Sequence, residues 1–210
     1  MRITGGTLLG RHIEVPKGII RPAMDRMRES VFAILGDIIG KSFLDLFTGS
    51  GIIALEAASR GATDIEAVEM DALKRQVLLK NVGIAPVRIN CRFMAVELYV
   101  KRARRAFDYI FCDPPFPYKF KWELAESIAA SPLMRRESEE RSGSMFIMHR
   151  PREDVPKLGI NDVSIPNAAG SHMILVDQRE YGRSIVDFWR ISNTAVEIKT
   201  DESERTISTV

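Results

Sequence analysis

This sequence predicts an α/β fold: a doubly wound, mostly parallel sheet of seven strands with an antiparallel edge hairpin, in the Rossmann-like manner. Three observations predict it. Short apolar runs alternate with segments of helical periodicity from residue 43 to residue 149, the pattern of successive βαβ units. The first run, Phe43-Leu44-Asp45-Leu46-Phe47, turns through Thr48-Gly49-Ser50-Gly51 into a helix, as a strand does beside a nucleotide-binding crevice. The last two runs, residues 174–181 and 184–191, read as alternating strands that meet at Gly182-Arg183, which predicts the closing hairpin. Residues 41–192 make up this sheet domain. Residues 1–40 read as a small hairpin-and-helix extension before it. Residues 193–210 read as a polar, disordered tail without sustained patterning.

Taken in order, residues 2–15 predict a short hairpin, with strands at 2–4 and near 11–15 around a Gly5-Gly6 turn. Pro16 and Gly18 end it. An amphipathic helix follows between Arg21-Pro22 and Gly40, with Met27, Val31, Ile34, Leu35 and Ile38 on its inner face and Arg26, Arg28 and Glu29 on the outer. Composition leaves two readings of this region open. One is a solvated helix face with the hairpin packed on the main sheet. The other is a basic ledge for a phosphate backbone, built from Arg2, Arg11, Arg21, Arg26 and Arg28.

Beyond the glycine turn, Ile52, Leu55 and Ala58 share one side of a helix that Arg60 and Gly61 close as last-turn cation and left-handed cap. The next strand, 65–68, ends in Glu69-Met70-Asp71, and Asp71 is placed to cap a helix at 72–82 that buries Leu73, Val77 and Leu78. Strands at 87–91, 107–112 and 143–149 and helices at 95–103 and 121–130 complete the alternation. The basic run Lys101-Arg102-Ala103-Arg104-Arg105 suits a helix carboxyl terminus. Residues 150–170 read as connection.

Composition excludes several classes. At 210 residues, with 45% apolar and 28% charged side chains, the chain is of ordinary globular character and of a size for one large domain. Its net charge of +2 does not by itself announce a nucleic-acid binder, but residues 1–28 concentrate Arg2, Arg11, Lys17, Arg21, Arg26 and Arg28 against Glu14 and Asp25. Cys91 and Cys112 end apolar runs and read as reduced core thiols; neither they nor His12, His149 and His172 show metal-ligand spacing. No basic-then-apolar leader and no membrane-length apolar run is present, so a cytoplasmic protein is expected.

Two motifs carry chemistry. Gly49-Ser50-Gly51-Ile52-Ile53-Ala54 fits the G-x-G-x-x-G/A pattern, weak by itself. Glu69 stands at the tip of the following strand, where an acid accepts hydrogen bonds from a ribose diol. Those two features alone would also permit a nicotinamide-dependent oxidoreductase. That reading leaves Asp113-Pro114-Pro115-Phe116 without a role. The two prolines fix the backbone and lack N–H groups, so carbonyls point outward from a rigid corner. A carboxylate beside such a carbonyl offers two acceptors to one exocyclic –NH2, and Phe116 offers a face for its base. Holding both N–H bonds returns lone-pair density to the nitrogen, which can then attack an electrophilic methyl in line. Positioning and aimed acceptors supply the rate.

On these residues the chain resembles the bacterial family that methylates the N2 amine of a guanine in 16S ribosomal RNA, using S-adenosylmethionine. The resemblance runs through M-R-I-T-G-G-T-L-L-G-R at 1–11, R-P-A-M-D-R-M-R-E-S-V-F at 21–32, L-D-L-F-T-G-S-G at 44–51, V-E-M-D at 68–71, D-P-P-F at 113–116 and Y-G-R-S at 181–184. It implies a Rossmann-like methyltransferase domain in which Asp45, Gly49 and Gly51 line the methionine end of the cofactor. Glu69 would hold the ribose and Met70 pack on adenine, with Phe47 and Phe93 in the same cofactor site. Asp113 and the Pro114 carbonyl would hold the target amine in a corner made rigid by Pro115, with Phe116 against the flipped base. Arg2, Arg11, Arg21, Arg26, Arg28 and Tyr118 would touch RNA. The implied partner is 16S ribosomal RNA or the small ribosomal subunit, met by a monomer with no metal and no membrane. The chain departs from the family pattern at Met24, where Thr is usual, and at Cys91-Arg92-Phe93-Met94, where an Asp or Asn is usual. DNA adenine-N6 and protein-glutamine methylation remain alternatives on the motif, as does a non-catalytic ribosome-binding factor.

Overall fold

Strand β1 (Ser42–Leu46) lies at the centre of the five parallel strands of the sheet. It pairs in parallel with β2 (Asp64–Glu69), Leu46 opposite Val68, and on its other side with β4 (Tyr109–Cys112), Leu46 opposite Cys112. Strand β3 (Ile89–Phe93) extends the sheet beyond β2, and β5 (Met145–Pro151) beyond β4, both in parallel. The antiparallel hairpin β7 (His172–Tyr181) and β8 (Ser184–Ile191) joins through β8 against β5. These are the seven strands expected; a three-residue strand β6 (Ser164–Pro166), in residues read as connection, adds an eighth at the edge. The order is β3-β2-β1-β4-β5-β8-β7-β6, so the winding reverses between β1 and β4. A reversal of that kind opens a crevice beyond the strand ends. The computed structural model describes residues 1–16, 25–138, 142–154, 164–166 and 172–191. Arg21 and the tail at 193–210 lie outside them.

Helices α1 (Asp25–Leu35), α2 (Ile52–Ser59), α3 (Arg75–Val82), α4 (Val96–Arg102) and α5 (Lys121–Ala130) cover the sheet. Alternate residues of the strands serve opposite cores, as the pleat requires. Phe43, Ile65, Ala67, Phe111, Ile147 and Phe188 join a core with α1 and α2. Leu44, Leu46, Val68, Ile110, Phe146 and Trp189 join another with α4 and α5. Helix α2 is buried along all eight residues, because the amino-terminal segment covers the side that the sheet does not.

That segment is the short hairpin expected, in reduced form. It holds one antiparallel bridge, Arg2 with His12, and between them a 3-10 turn at Gly6–Leu8. Its two arms are joined by Ile3 N donating to Arg11 O at 2.9 Å, Gly10 N to Ile3 O at 2.9 Å and Ile13 N to Met1 O at 2.8 Å, and the turn between them rests on the end of α2. Leu8 N donates to Ser59 Oγ at 2.8 Å and Thr7 Oγ1 to Ser59 O at 3.3 Å. Gly6, at φ +75, lies so close that a Cβ there would stand 1.9 Å from Ser59 O, and only glycine fits both constraints. Ile3 and Ile13 enter the same core as α1 and α2.

Helix α1 stops at Leu35 instead of running to Gly40, because Gly36 takes φ +68, the left-handed turn that ends helices. Arg28 does not stand on an outer face. It is fully buried, its Nε donating to Glu56 Oε1 at 3.0 Å and its Nη2 to Asp25 Oδ1 at 2.8 Å and Arg2 O at 2.5 Å. Those groups compensate a guanidinium that would otherwise be costly to bury, and Arg28 is withdrawn from any basic ledge. Leu73 is the other reversal: it is exposed in the 3-10 turn that leads into α3, where Asp71 Oδ1 accepts from Leu73 N at 2.9 Å. Strand β3, at Ile89–Phe93, begins and ends later than expected.

Candidate active site

The ladder between β1 and β4 continues one step past Cys112, where Asp113 N donates to Leu46 O at 3.3 Å. The acid–proline corner therefore begins beside the point where β1 enters its glycine turn. Thr48 N donates to Val68 O at 3.0 Å and Gly49 N to Glu69 Oε2 at 2.9 Å, which ties the turn to the tip of β2. The backbone is strained there: Phe47 has φ +60, the single non-glycine with positive φ among the described residues. A residue of that shape rarely enters the left-handed region unless its surroundings impose it, and such sites gather around function.

Both strand tips open onto one cleft of about 750 Å³. Asp45, Phe47, Gly49, Glu69 and Met70 line it from the β1 and β2 side. Asp113, Pro114, Pro115, Phe116 and Tyr118 line it from the β4 side. Ten of the expected site residues thus meet in one space. Two do not. Gly51 is the left-handed N-cap of α2 at φ +83, and a Cβ there would stand 2.8 Å from Leu78 Cδ1. Its missing side chain lets α3 pack close and leaves the cleft to Gly49. Phe93 lies beneath the Arg75 guanidinium, 4.5 Å from the ring centroid, and is not among the cleft residues. Phe93 falls on the same face of β3 as Ile89 and Cys91, under α3.

The cleft is acidic. Asp45, Glu69, Asp71, Glu97 and Asp113 line it, with Lys74 as the one Lys or Arg among its described lining side chains. Lys74 Nζ lies 3.6 Å from Glu69 and 3.7 Å from Asp71. Glu69 is nearly buried, with Oε1 accepting from Asp71 N at 2.8 Å; each of its oxygens keeps a second lone pair for a ligand hydroxyl. Asp45 is buried beneath the turn, and its Oδ2 accepts from Thr48 Oγ1 at 2.5 Å and Ala54 N at 3.1 Å. Burial pushes its pKa up to about 7, and the charges of Asp113 and Glu69 add to that against the two hydrogen bonds.

An aspartate raised from 3.8 to about 7 holds a proton in the folded protein that the unfolded chain has released. Its contribution to stability is full below pH 3.8 and is lost as pH rises to 7. Asp45→Asn carries no charge at any pH. Its ligand-free melting temperature is expected to gain on the wild type by several degrees between about pH 5 and pH 8. Thermal melts of the two proteins at those pH values check this; parallel curves would contradict it.

Tyr118 sits in the cleft, its ring 5.5 Å from that of Phe47 and its hydroxyl donating to Glu97 Oε1 at 2.5 Å. Burial, followed by that carboxylate, pushes its ionisation well up, so the phenol stays neutral. Arg2 is half-exposed and pairs with Asp25 at 3.3 Å, while Arg11 and Arg26 are exposed.

Two residues at the corner escaped the sequence reading. Lys121, the first residue of α5, is buried, and its Nζ donates to Phe116 O at 2.8 Å and Tyr118 O at 2.5 Å while meeting Asp154 Oδ2 at 2.7 Å. It holds the loop that presents Phe116. His149 of β5 places Nδ1 2.9 Å from Asp113 Oδ1. A signal for His149 existed: β5 follows β4 in the winding, so the histidine ending its apolar run falls beside the acid ending the other. Among the described residues no group of three His, Cys, Asp or Glu is placed to hold a metal, and no helix is long and apolar enough to cross a membrane.

Sheet order, glycine turn and acid corner at the reversal point define a Rossmann-like fold of the methyltransferase class. Two solved structures share it. One, from Escherichia coli and provisionally described as the methyltransferase yhhF, superposes with a TM-score of 0.72 at 25% identity, covering 90% of this chain and 96% of that one. The other, a hypothetical protein from Thermus thermophilus, gives 0.71 at 26% identity, covering 90% and 99%. The chain belongs to the family described as Conserved hypothetical protein 95, which matches residues 1–190. Among curated relatives, ribosomal RNA small subunit methyltransferase D of Escherichia coli K12 is 37% identical over 123 residues. That match covers 55% of this chain and 60% of the relative, less than two thirds of its length.

Proposed function

We propose that this protein transfers a methyl group from S-adenosylmethionine to the N2 amine of a guanine in 16S ribosomal RNA. One observation carries the reading: the Gly49–Glu69 tip and the Asp113–Pro114 corner face the same acidic cleft. S-adenosylmethionine supplies an electrophilic methyl on a cationic sulfur, and it carries an ammonium group as well. A cleft of carboxylates attracts such charges. It repels the pyrophosphate of a nicotinamide dinucleotide, and the Gly49 N–H that would greet a phosphate already donates to Glu69. The oxidoreductase reading therefore loses its support.

In this account Glu69 accepts from the ribose hydroxyls, and Met70, largely exposed at the rim, covers the adenine. Asp113 and the Pro114 carbonyl accept the two N–H bonds of the target amine, and Phe116 stacks on its base. The amine nitrogen attacks the methyl carbon as the carbon–sulfur bond breaks and its electron pair goes to sulfur. The surplus proton leaves along the hydrogen bond to Asp113. A stacked guanine cannot present its amine in such a recess, so the base is taken out of the helix or from a single-stranded site. Arg2, Arg11 and Arg26, with Arg21, meet phosphates in sequence-independent contacts. The ribosomal substrate rests on the name of the curated relative and on this basic segment.

The test is transfer of labelled methyl from S-adenosylmethionine to unmodified 16S RNA and to small-subunit particles, followed by digestion to nucleosides. Label is expected in N2-methylguanosine. Label in N6-methyladenine or in protein glutamine would move the reaction to another amine, and none anywhere would overturn methyl transfer.

A further inference from the structure

Resting on the methyl-transfer reading, we propose that His149 is the positioning residue of the acceptor carboxylate. Its Nδ1–H holds Asp113 Oδ1 and leaves Oδ2 for the target amine. The contact is 2.9 Å, with the imidazole almost wholly buried and the carboxylate partly open to the cleft. The same ring meets Phe116 edge-on, with centroids 5.8 Å apart and planes at 66°. One side chain on β5 therefore touches both the acid and the aromatic face assigned to the substrate.

The surroundings of the ring decide where its proton lies. Nε2 of His149 is buried and has no hydrogen-bond partner among the described residues. An imidazolium, or the tautomer protonated at Nε2, would leave an N–H there with no acceptor among the described residues, which is the expensive way to bury a donor. A carboxylate only accepts. The neutral Nδ1–H tautomer donates to one carboxylate oxygen and leaves at Nε2 only an unpaired acceptor, a smaller cost than an unpaired buried N–H. It also removes His149 from proton transfer, since its basic nitrogen faces away from the acid. The imidazole thus selects one orientation of a carboxylate that could otherwise rotate, and reach of the amine depends on that orientation.

Two measurements test this. In steady-state methyl transfer, His149→Leu is expected to lower kcat by about 10- to 100-fold, the effect of loosening a reacting group's position. The KM for S-adenosylmethionine and the Kd for S-adenosylhomocysteine should stay within about twofold, since nothing at the glycine turn changes. His149→Asn, whose amide N–H can reach Oδ1, should recover most of kcat. Wild-type kcat in His149→Leu, or equal loss in both variants while each binds S-adenosylhomocysteine normally, would overturn the proposal. The second measurement needs no turnover. Nitrogen NMR of the wild-type imidazole should show Nδ1 protonated and Nε2 bare, with the signal moving in Asp113→Ala; protonation at Nε2 would overturn the inference. A wild-type protein that methylates nothing but shows the Nδ1–H tautomer would instead refute the methyl-transfer reading and leave the His149–Asp113 contact standing.

Discussion

Asp113→Ala is expected to lower kcat for methyl transfer by about 10³-fold, while S-adenosylhomocysteine binds within about threefold of wild type. The reaction places positive charge on the amine nitrogen as its bond to carbon forms. Asp113 is the carboxylate that the corner presents to that charge, and it also receives the departing proton. Losing an aimed electrostatic partner commonly removes about 10²- to 10³-fold, and losing a proton acceptor about 10²-fold more, although the two losses overlap when one group serves both roles. Binding should survive because Glu69 and Gly49 stand on the neighbouring strand tips and are tied to each other, not to Asp113. The fold should survive too: the side chain is partly exposed, and its removal takes away a repulsion that adds to the effect of burial on Asp45. Asp113→Asn keeps one acceptor oxygen without the charge and should fall between. Rate measurement at saturating cofactor, paired with calorimetry, checks this; Asp113→Ala turning over near the wild-type rate would remove the corner from catalysis.

The largest effect on stability is expected from Glu56→Ala. Glu56 is fully buried on α2, and its carboxylate accepts from Thr4 N and Oγ1 at 2.8 Å each, from Arg28 Nε at 3.0 Å and from Arg60. Three separate segments meet on that one group. Without it, Arg28 keeps Asp25 and the Arg2 carbonyl but loses its buried counter-charge, a change that costs about 3–5 kcal/mol. For a chain of this size that corresponds to a fall in melting temperature of roughly 6–20 °C. Replacing both partners by apolar residues, Glu56→Leu with Arg28→Met, should recover much of the loss, because neither charge is then left buried alone. Calorimetric melts of the single and double variants decide it. A single variant within about 2 °C of wild type would show that the network holds little.

Much of this architecture could be read from residue patterns, and the parts that could not have identifiable reasons. The strand–turn–helix at 42–59 was legible because an apolar run, two glycines and helical spacing fell in immediate succession. The bounds of α5 matched because Ser131-Pro132 can end a helix in only one way. Arg28 is instructive. It stands three, four and seven residues before Val31, Phe32 and Leu35, so spacing placed it inward while its charge argued for the surface. Only its partner Glu56, inward on α2 by the same spacing, resolves the conflict, and pairing across 28 positions is not visible in local periodicity. Gly51 was read with Gly49 as one motif, yet it answers to Leu78 on a later helix. That Met70, Glu69 and the Asp113–Phe116 corner share one cleft was legible because strand tips in a doubly wound sheet are predictable places. Lys121 and His149 were missed because their contacts with the cleft run through a loop and a neighbouring strand tip, which local spacing does not show.

The central claim is that one cleft holds the methyl donor against the acid–proline corner. A crystal structure with S-adenosylhomocysteine tests it most directly. The ribose hydroxyls are expected on Glu69, the homocysteine end beside Gly49 and Asp45, and the sulfur turned toward Asp113 and the Pro114 carbonyl. A ligand seated elsewhere, such as the groove between α4 and α5, or one whose sulfur faces away from Asp113, would contradict it.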